Sequence, residues 1–167
     1  ANLVLVGKTV LALGGRLYAC MLACLGFLVG GYLRMNILFQ PNFLEVFFWS
    51  LSLYIVIRLI QTNSHKYLYF LALSLALAFY SKYSVIFLFS GILLAFILTP
   101  LRSWFGKRDL YSVGILFLIL ILPNLNWQIT HNYPVLTHMK LLNDNLLVHV
   151  SRSQFLVEQI LFNAASF

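Results

Sequence analysis

The chain has 167 residues, of which 62% are hydrophobic and only 9% charged. Its mean hydropathy is +0.91, and a water-soluble fold has no means of covering that much apolar surface. The net charge of +7 comes from 11 Lys and Arg residues scattered singly or in pairs between apolar runs, a pattern that marks membrane-flanking loops and excludes a soluble enzyme, a DNA-binding module and a disordered tail.

Apolar runs read against polar punctuation predict an all-α, polytopic transmembrane helical bundle of about five spans plus a truncated helix. Leu3 to Leu13 has no basic n-region and no small-residue cleavage site, so it reads as the end of a helix belonging to a longer chain and not as a signal peptide. Spans follow near Leu17 to Leu33, Phe43 to Ile60, Tyr67 to Tyr80, Ser84 to Leu98 and Leu110 to Leu122. Breaks fall at Gly14-Gly15, Gln40-Pro41-Asn42, Gln61 to Lys66, Pro100 to Asp109 and Pro123, each with the turn formers or polar residues a break needs. Residues 1–123 are then a transmembrane helical region. Residues 124–167, rich in His131, Asn132, Asn143, Asp144 and His149, read as an extracytoplasmic loop and, over Ser153 to Phe162, the start of an interfacial or transmembrane helix.

Basic residues set the expected orientation. Lys8, Arg16, Arg58, Lys66, Arg102, Lys107 and Arg108 fall on one side, while Arg34, Lys82, Lys140 and Arg152 fall on the other. The richer side is expected to be cytoplasmic. Glu45, Asp144 and Glu158 then belong to the outer face, where a polar site can be built.

Some motifs carry no chemistry. Gly7-Lys8-Thr9 resembles the end of a phosphate-binding loop, but Asn2 stands where that motif needs glycine. Gly26 and Gly30 let helices approach closely and speak only for packing. Cys20 and Cys24 are spaced for neither a redox pair nor a metal site, and His131, His138 and His149 lack zinc-ligand spacing. No metal site is assigned.

Polar residues inside or beside the spans are more informative. Glu45 lies at the outer end of a span, where burying a charge costs about 2.5–3.5 kcal/mol on insertion scales. It is either retained for a polar cavity or placed at the positive end of a helix within reach of water. Lys82, in Tyr80-Ser81-Lys82-Tyr83-Ser84, is a lone cation among hydroxyl donors. It either neutralises a phosphate or snorkels from a tight turn. After Pro123, read as a helix stop, Asn124, Asn126, Gln128 and His131 form a neutral hydrogen-bonding set suited to sugar hydroxyls or phosphate oxygens.

These pieces, in this order, resemble the multi-spanning GT-C glycosyltransferases that use a polyprenyl-phosphate sugar donor, among them dolichyl-phosphate-mannose:protein mannosyltransferases and bacterial aminoarabinose transferases. The resemblance runs from about Leu11 to Phe162. It rests on Leu13-Gly14-Gly15-Arg16, Phe39-Gln40-Pro41-Asn42 leading to Phe47-Phe48-Trp49, Leu77 to Lys82-Tyr83-Ser84, Leu122-Pro123-Asn124-Leu125-Asn126-Trp127-Gln128, and Phe155-Leu156-Val157-Glu158-Gln159.

The resemblance implies a hexosyl- or pentosyltransferase integral to a bacterial plasma membrane, with its active site facing away from the cytoplasm. It would move a mannose- or aminoarabinose-type sugar from polyprenyl phosphate to a lipid, protein or glycan acceptor, with membrane lipids and no nucleic acid as further partners. By this analogy Lys82 lies close to the donor phosphate. The expected donor-binding set is Lys82, Tyr83, Arg34, Asn42, Asn124, Asn126, Gln128 and His131. Many relatives carry Pro-Asp where this chain has Pro41-Asn42, and Glu45, one turn later, is the candidate replacement. The family's catalytic aspartate is expected upstream of this fragment. Charge on a departing phosphate also admits a divalent metal ion as cofactor. The rival reading is a transporter or flippase subunit, whose charges would line a path at the bilayer midplane.

Overall fold

The computed structural model describes residues 1–30, 41–145 and 151–163, and every regular element among them is helical. Helices α1 (Asn2–Ala12) and α2 (Leu17–Val29) form a hairpin, turned at Gly14, whose φ of 88° suits a residue without Cβ. The Cys20 thiol lies 3.7 Å from the Gly7 carbonyl and that of Cys24 3.7 Å from the Leu3 carbonyl, which sets the two helices antiparallel. Helix α3 (Asn42–Thr62) ends on Asn63 in the left-handed conformation and returns as α4 (Lys66–Ser81). The turn 82–84 leads to α5 (Val85–Leu98). A 3₁₀ helix, Pro100–Gly106, leaves α5 at 93°. It is followed by α6 (Arg108–Thr130), α7 (Pro134–Asn145) and α8 (Arg152–Asn163).

Helix α4 is the centre of the bundle, packed against α3, α5 and α6. Its buried stripe, Leu68, Leu71, Ala72, Leu75 and Ala78, recurs at helical spacing. Around it close Ile55 and Leu59 of α3, Val85, Leu88, Ile92 and Phe96 of α5, and Val113 of α6. In lipid there is little hydrophobic drive between apolar helices, so small side chains and interhelical hydrogen bonds carry association. Ser52 of α3 and Ser74 of α4 supply one such bond, their buried hydroxyls 2.9 Å apart, while Ser74 also donates to the Phe48 carbonyl at 3.4 Å. Ser74→Ala is expected to cost about 0.6–1.7 kcal/mol, the range for interhelical hydrogen bonds in membranes. Unfolding in mixed detergent measures it, and an unchanged midpoint would show the bond to be idle.

Three expectations change. Among the described residues only α3 and α6 are long and apolar enough to cross a membrane alone, or three elements if α5 and the bent 3₁₀ helix count as one span, against the five expected. The reason is length: α1, α2, α4 and α5, at 1.5 Å per residue, reach only roughly 17–24 Å, short of a hydrocarbon core of roughly 30 Å. Pro123 does not stop its helix, because α6 continues through it to Thr130. A proline removes one donor, here for the Ile119 carbonyl, and neighbouring groups in a bundle offset such losses; the Tyr80 hydroxyl donates to the adjacent Leu120 carbonyl at 2.9 Å. Asn124 to Gln128 are accordingly helical rather than looped, as are residues 134–145. Arg34, Gln40 and His149 lie outside the described residues.

Candidate functional site

The antiparallel course of α3 and α4 brings the start of one beside the end of the other. Asn42 and Glu45, three residues apart in the first turn of α3, share a helix face. Both meet Lys82, which caps α4 in extended backbone. Its ammonium nitrogen donates to Asn42 Oδ1 and to Glu45 Oε2, each at 3.0 Å. The other carboxylate oxygen, Oε1, accepts from the Ser84 hydroxyl. A serine at a helix N-cap usually serves the helix's own first N–H groups. Ser84 makes no such bond and is turned to Glu45 instead. The first turn of α3 is itself a favourable place for a carboxylate, because the helix dipole is positive there.

Lys82 is the accessible partner of this pair, its side chain 45% exposed against 18% for Glu45. A cation anchored from below by a carboxylate and an amide, with its outer side open, suits an anionic ligand arriving from outside the bundle. Asn42 stands where the resemblance leads to an acid and offers Lys82 a neutral acceptor instead.

The next residue in the turn starts a second chain of hydrogen bonds. Tyr83, its ring edge-on to Phe79 at 5.0 Å, donates to Asn124 Oδ1 at 2.7 Å and accepts from Gln128 Nε2 at 2.6 Å. Asn124 and Gln128 are one helical turn apart and therefore share a face of α6. Gln128 is buried, and its Oε1 accepts from the Val135 N–H at 3.4 Å, tying the start of α7 to the network. The turn 82–84 thus links two polar clusters, one to α3 and one to α6.

Of the residues expected from sequence, the structure gathers Lys82, Asn42, Glu45, Tyr83, Asn124 and Gln128 at one end of the bundle. It does not gather Asn126, which is exposed and two residues from Asn124, roughly 200° around the helix. Nor does it gather His131, whose Nδ1 lies 2.9 Å from the Trp127 carbonyl and 3.0 Å from the Thr130 hydroxyl and whose ring stacks on Trp127 at 4.7 Å. Ser84 as the second partner of Glu45 was missed, and its position at a helix start beside a lysine was the available signal. Among the described residues no three His, Cys, Asp or Glu side chains group as a metal site.

A family profile described as dolichyl-phosphate-mannose-protein mannosyltransferase matches residues 4–127, a stretch that holds both ends of the Lys82–Glu45 pair. The chain belongs to this family. The family match stands beside the helical architecture and its candidate membrane spans. Among curated proteins, lipid A galacturonosyltransferase RgtD of Rhizobium johnstonii is 27% identical over 108 residues. That stretch covers 65% of this chain and 23% of the relative, so this mannosyltransferase-family chain spans about a quarter of the protein it matches. No solved structure matches it.

Proposed function

We propose that the full-length protein is an integral membrane glycosyltransferase. It moves a sugar, of mannose or aminoarabinose type, from a polyprenyl-phosphate donor to a lipid, protein or glycan acceptor on the outer face of the membrane. The observation that carries the reading is the half-exposed Lys82 ammonium held by Asn42 and Glu45 beside the Tyr83–Asn124–Gln128 chain. The acceptor oxygen attacks the anomeric carbon, the bond from that carbon to the phosphate oxygen breaks, and polyprenyl phosphate departs with the electron pair. Lys82 meets the charge that builds on that phosphate, which is where a fixed cation does most for the rate. Tyr83, Asn124 and Gln128 hold the donor's sugar or phosphate oxygens.

Both oxygens of Glu45 are engaged, by Lys82 and Ser84, which favours Glu45 as the group that positions Lys82. The acceptor's proton is assigned to a carboxylate in the part of the protein outside this chain. The apolar helices give a prenyl chain a matching surface. The relative is named as a lipid A galacturonosyltransferase, which favours a lipid acceptor here too. Against a transport path, which would draw its charges from broken helices, the charges of the site sit at helix ends.

Transfer of a labelled sugar from a polyprenyl-phosphate donor to lipid, assayed with the full-length protein, tests the proposal directly. Tyr83→Phe is expected to raise the donor KM about tenfold, since it leaves Gln128 and Asn124 without their shared partner, worth about 1–3 kcal/mol. A protein that moves lipid-linked sugar across vesicles without transferring it would replace this reading with the transporter one.

A further inference from the structure

The opposite end of the bundle has a different chemistry. Where α5 meets the 3₁₀ helix the chain turns by 93°, and the bend leaves an open groove of about 490 Å³ lined by Leu98, Thr99, Pro100, Arg102 and Ser103. Leu98 is 79% exposed at its apolar edge, while Arg102 and Ser103 are exposed on the polar side. Trp104, the next residue, is buried and pins the bend in place. Around it stand further cations: Lys107 lies 3.5 Å from the centre of the Trp104 ring, and Arg58 and Lys66 lie 6.0 and 5.4 Å from that of Tyr67. The acid described at this end, Asp109, lies 2.7 Å from His65 and is outnumbered by Arg58, Lys66, Arg102 and Lys107.

We propose that this bend is a binding site for an anionic phospholipid of the leaflet it faces. Arg102 and Ser103 take the headgroup phosphate and an acyl chain runs down the exposed Leu98 side of α5. Charge complementarity favours this occupant, since a cationic rim above an exposed apolar helix edge matches a lipid that is negative at its head and apolar along its tail. A 3₁₀ segment turned across the end of α5 gives the arginine a fixed platform at headgroup depth.

The test uses the intact protein, delipidated in detergent, with native mass spectrometry counting bound dioleoylphosphatidylglycerol and dioleoylphosphatidylcholine. The expected result is a preference for the glycerol lipid of about fivefold or more, since each Arg or Lys near an anionic surface contributes about that factor. Arg102→Gln should reduce the preference about fivefold, and Arg102→Lys should retain most of it. Inorganic phosphate at matched ionic strength should not displace the bound lipid. Equal binding of both lipids, full retention of the preference in Arg102→Gln, or displacement by phosphate alone would each overturn the proposal.

Discussion

Replacing Lys82 by alanine in the full-length protein is expected to lower transfer by about 10²–10³-fold, the loss seen when one preorganised group facing transition-state charge is removed. Two effects act together. The departing phosphate loses its cation, and Glu45, still held by Ser84, is left as an uncompensated negative group beside an anionic donor. The fall should appear mainly in kcat, because charge on the phosphate builds in the transition state more than in the bound donor. Lys82→Arg keeps the charge but replaces a point-like ammonium by a planar fork, and its transfer rate should lie between parent and alanine variant. Glu45→Gln tests the positioning role: the loss it causes alone should disappear in a Lys82→Ala background and give way to a partial gain, since there it removes the uncompensated charge, and a residue that acts through another is non-additive with it. Steady-state rates of the variants, with melting temperatures as a check on folding, decide the matter. Unchanged kcat in Lys82→Ala removes the lysine from the chemistry.

Trp104→Ala should be the most damaging single change to stability, at about 3–5 kcal/mol for truncating a buried aromatic. Trp104 is among the largest fully buried side chains, 1% exposed. It takes the edge of the His65 ring at 5.0 Å and the Lys107 ammonium on its face. Through those partners it joins the α3–α4 turn, the 3₁₀ helix and the start of α6. Its end of the bundle is remote from Lys82, so the two variants separate in their readouts. Trp104→Ala should unfold at lower denaturant while the folded fraction keeps its turnover, whereas Lys82→Ala should do the reverse. Trp104→Phe, which retains a ring, should recover much of the loss.

The membrane character of the chain and nearly every polar candidate could be read from residues alone, because a charge or amide in so apolar a sequence stands out. Their partners could not. Glu45 and Lys82 are 37 positions apart, and their meeting depends on the relative register of α3 and α4, which Ser52, Ser74 and the alanine-rich face of α4 determine. Pro123 misled for a related reason. Its missing donor predicts a helix end in isolation, yet the packed bundle supplies other bonds nearby, and the continued helix then sets Asn124 and Gln128 on one face. A hydropathy reading likewise counts apolar runs, and among the described residues several of those runs form helices shorter than the hydrocarbon core. The His65–Asp109 contact, with Trp104 against the His65 ring, had no local signal, since it joins two separate turns.

Residues 82–84 lie directly between the last residue of α4 and the first of α5, and all three side chains are committed: one to α3, one to α6, and one back to α3. Such a connector behaves as a ruler. Adding or deleting a single residue would shift each of these groups into its neighbour's place. Spacing is therefore as strict a requirement at this corner as side-chain identity.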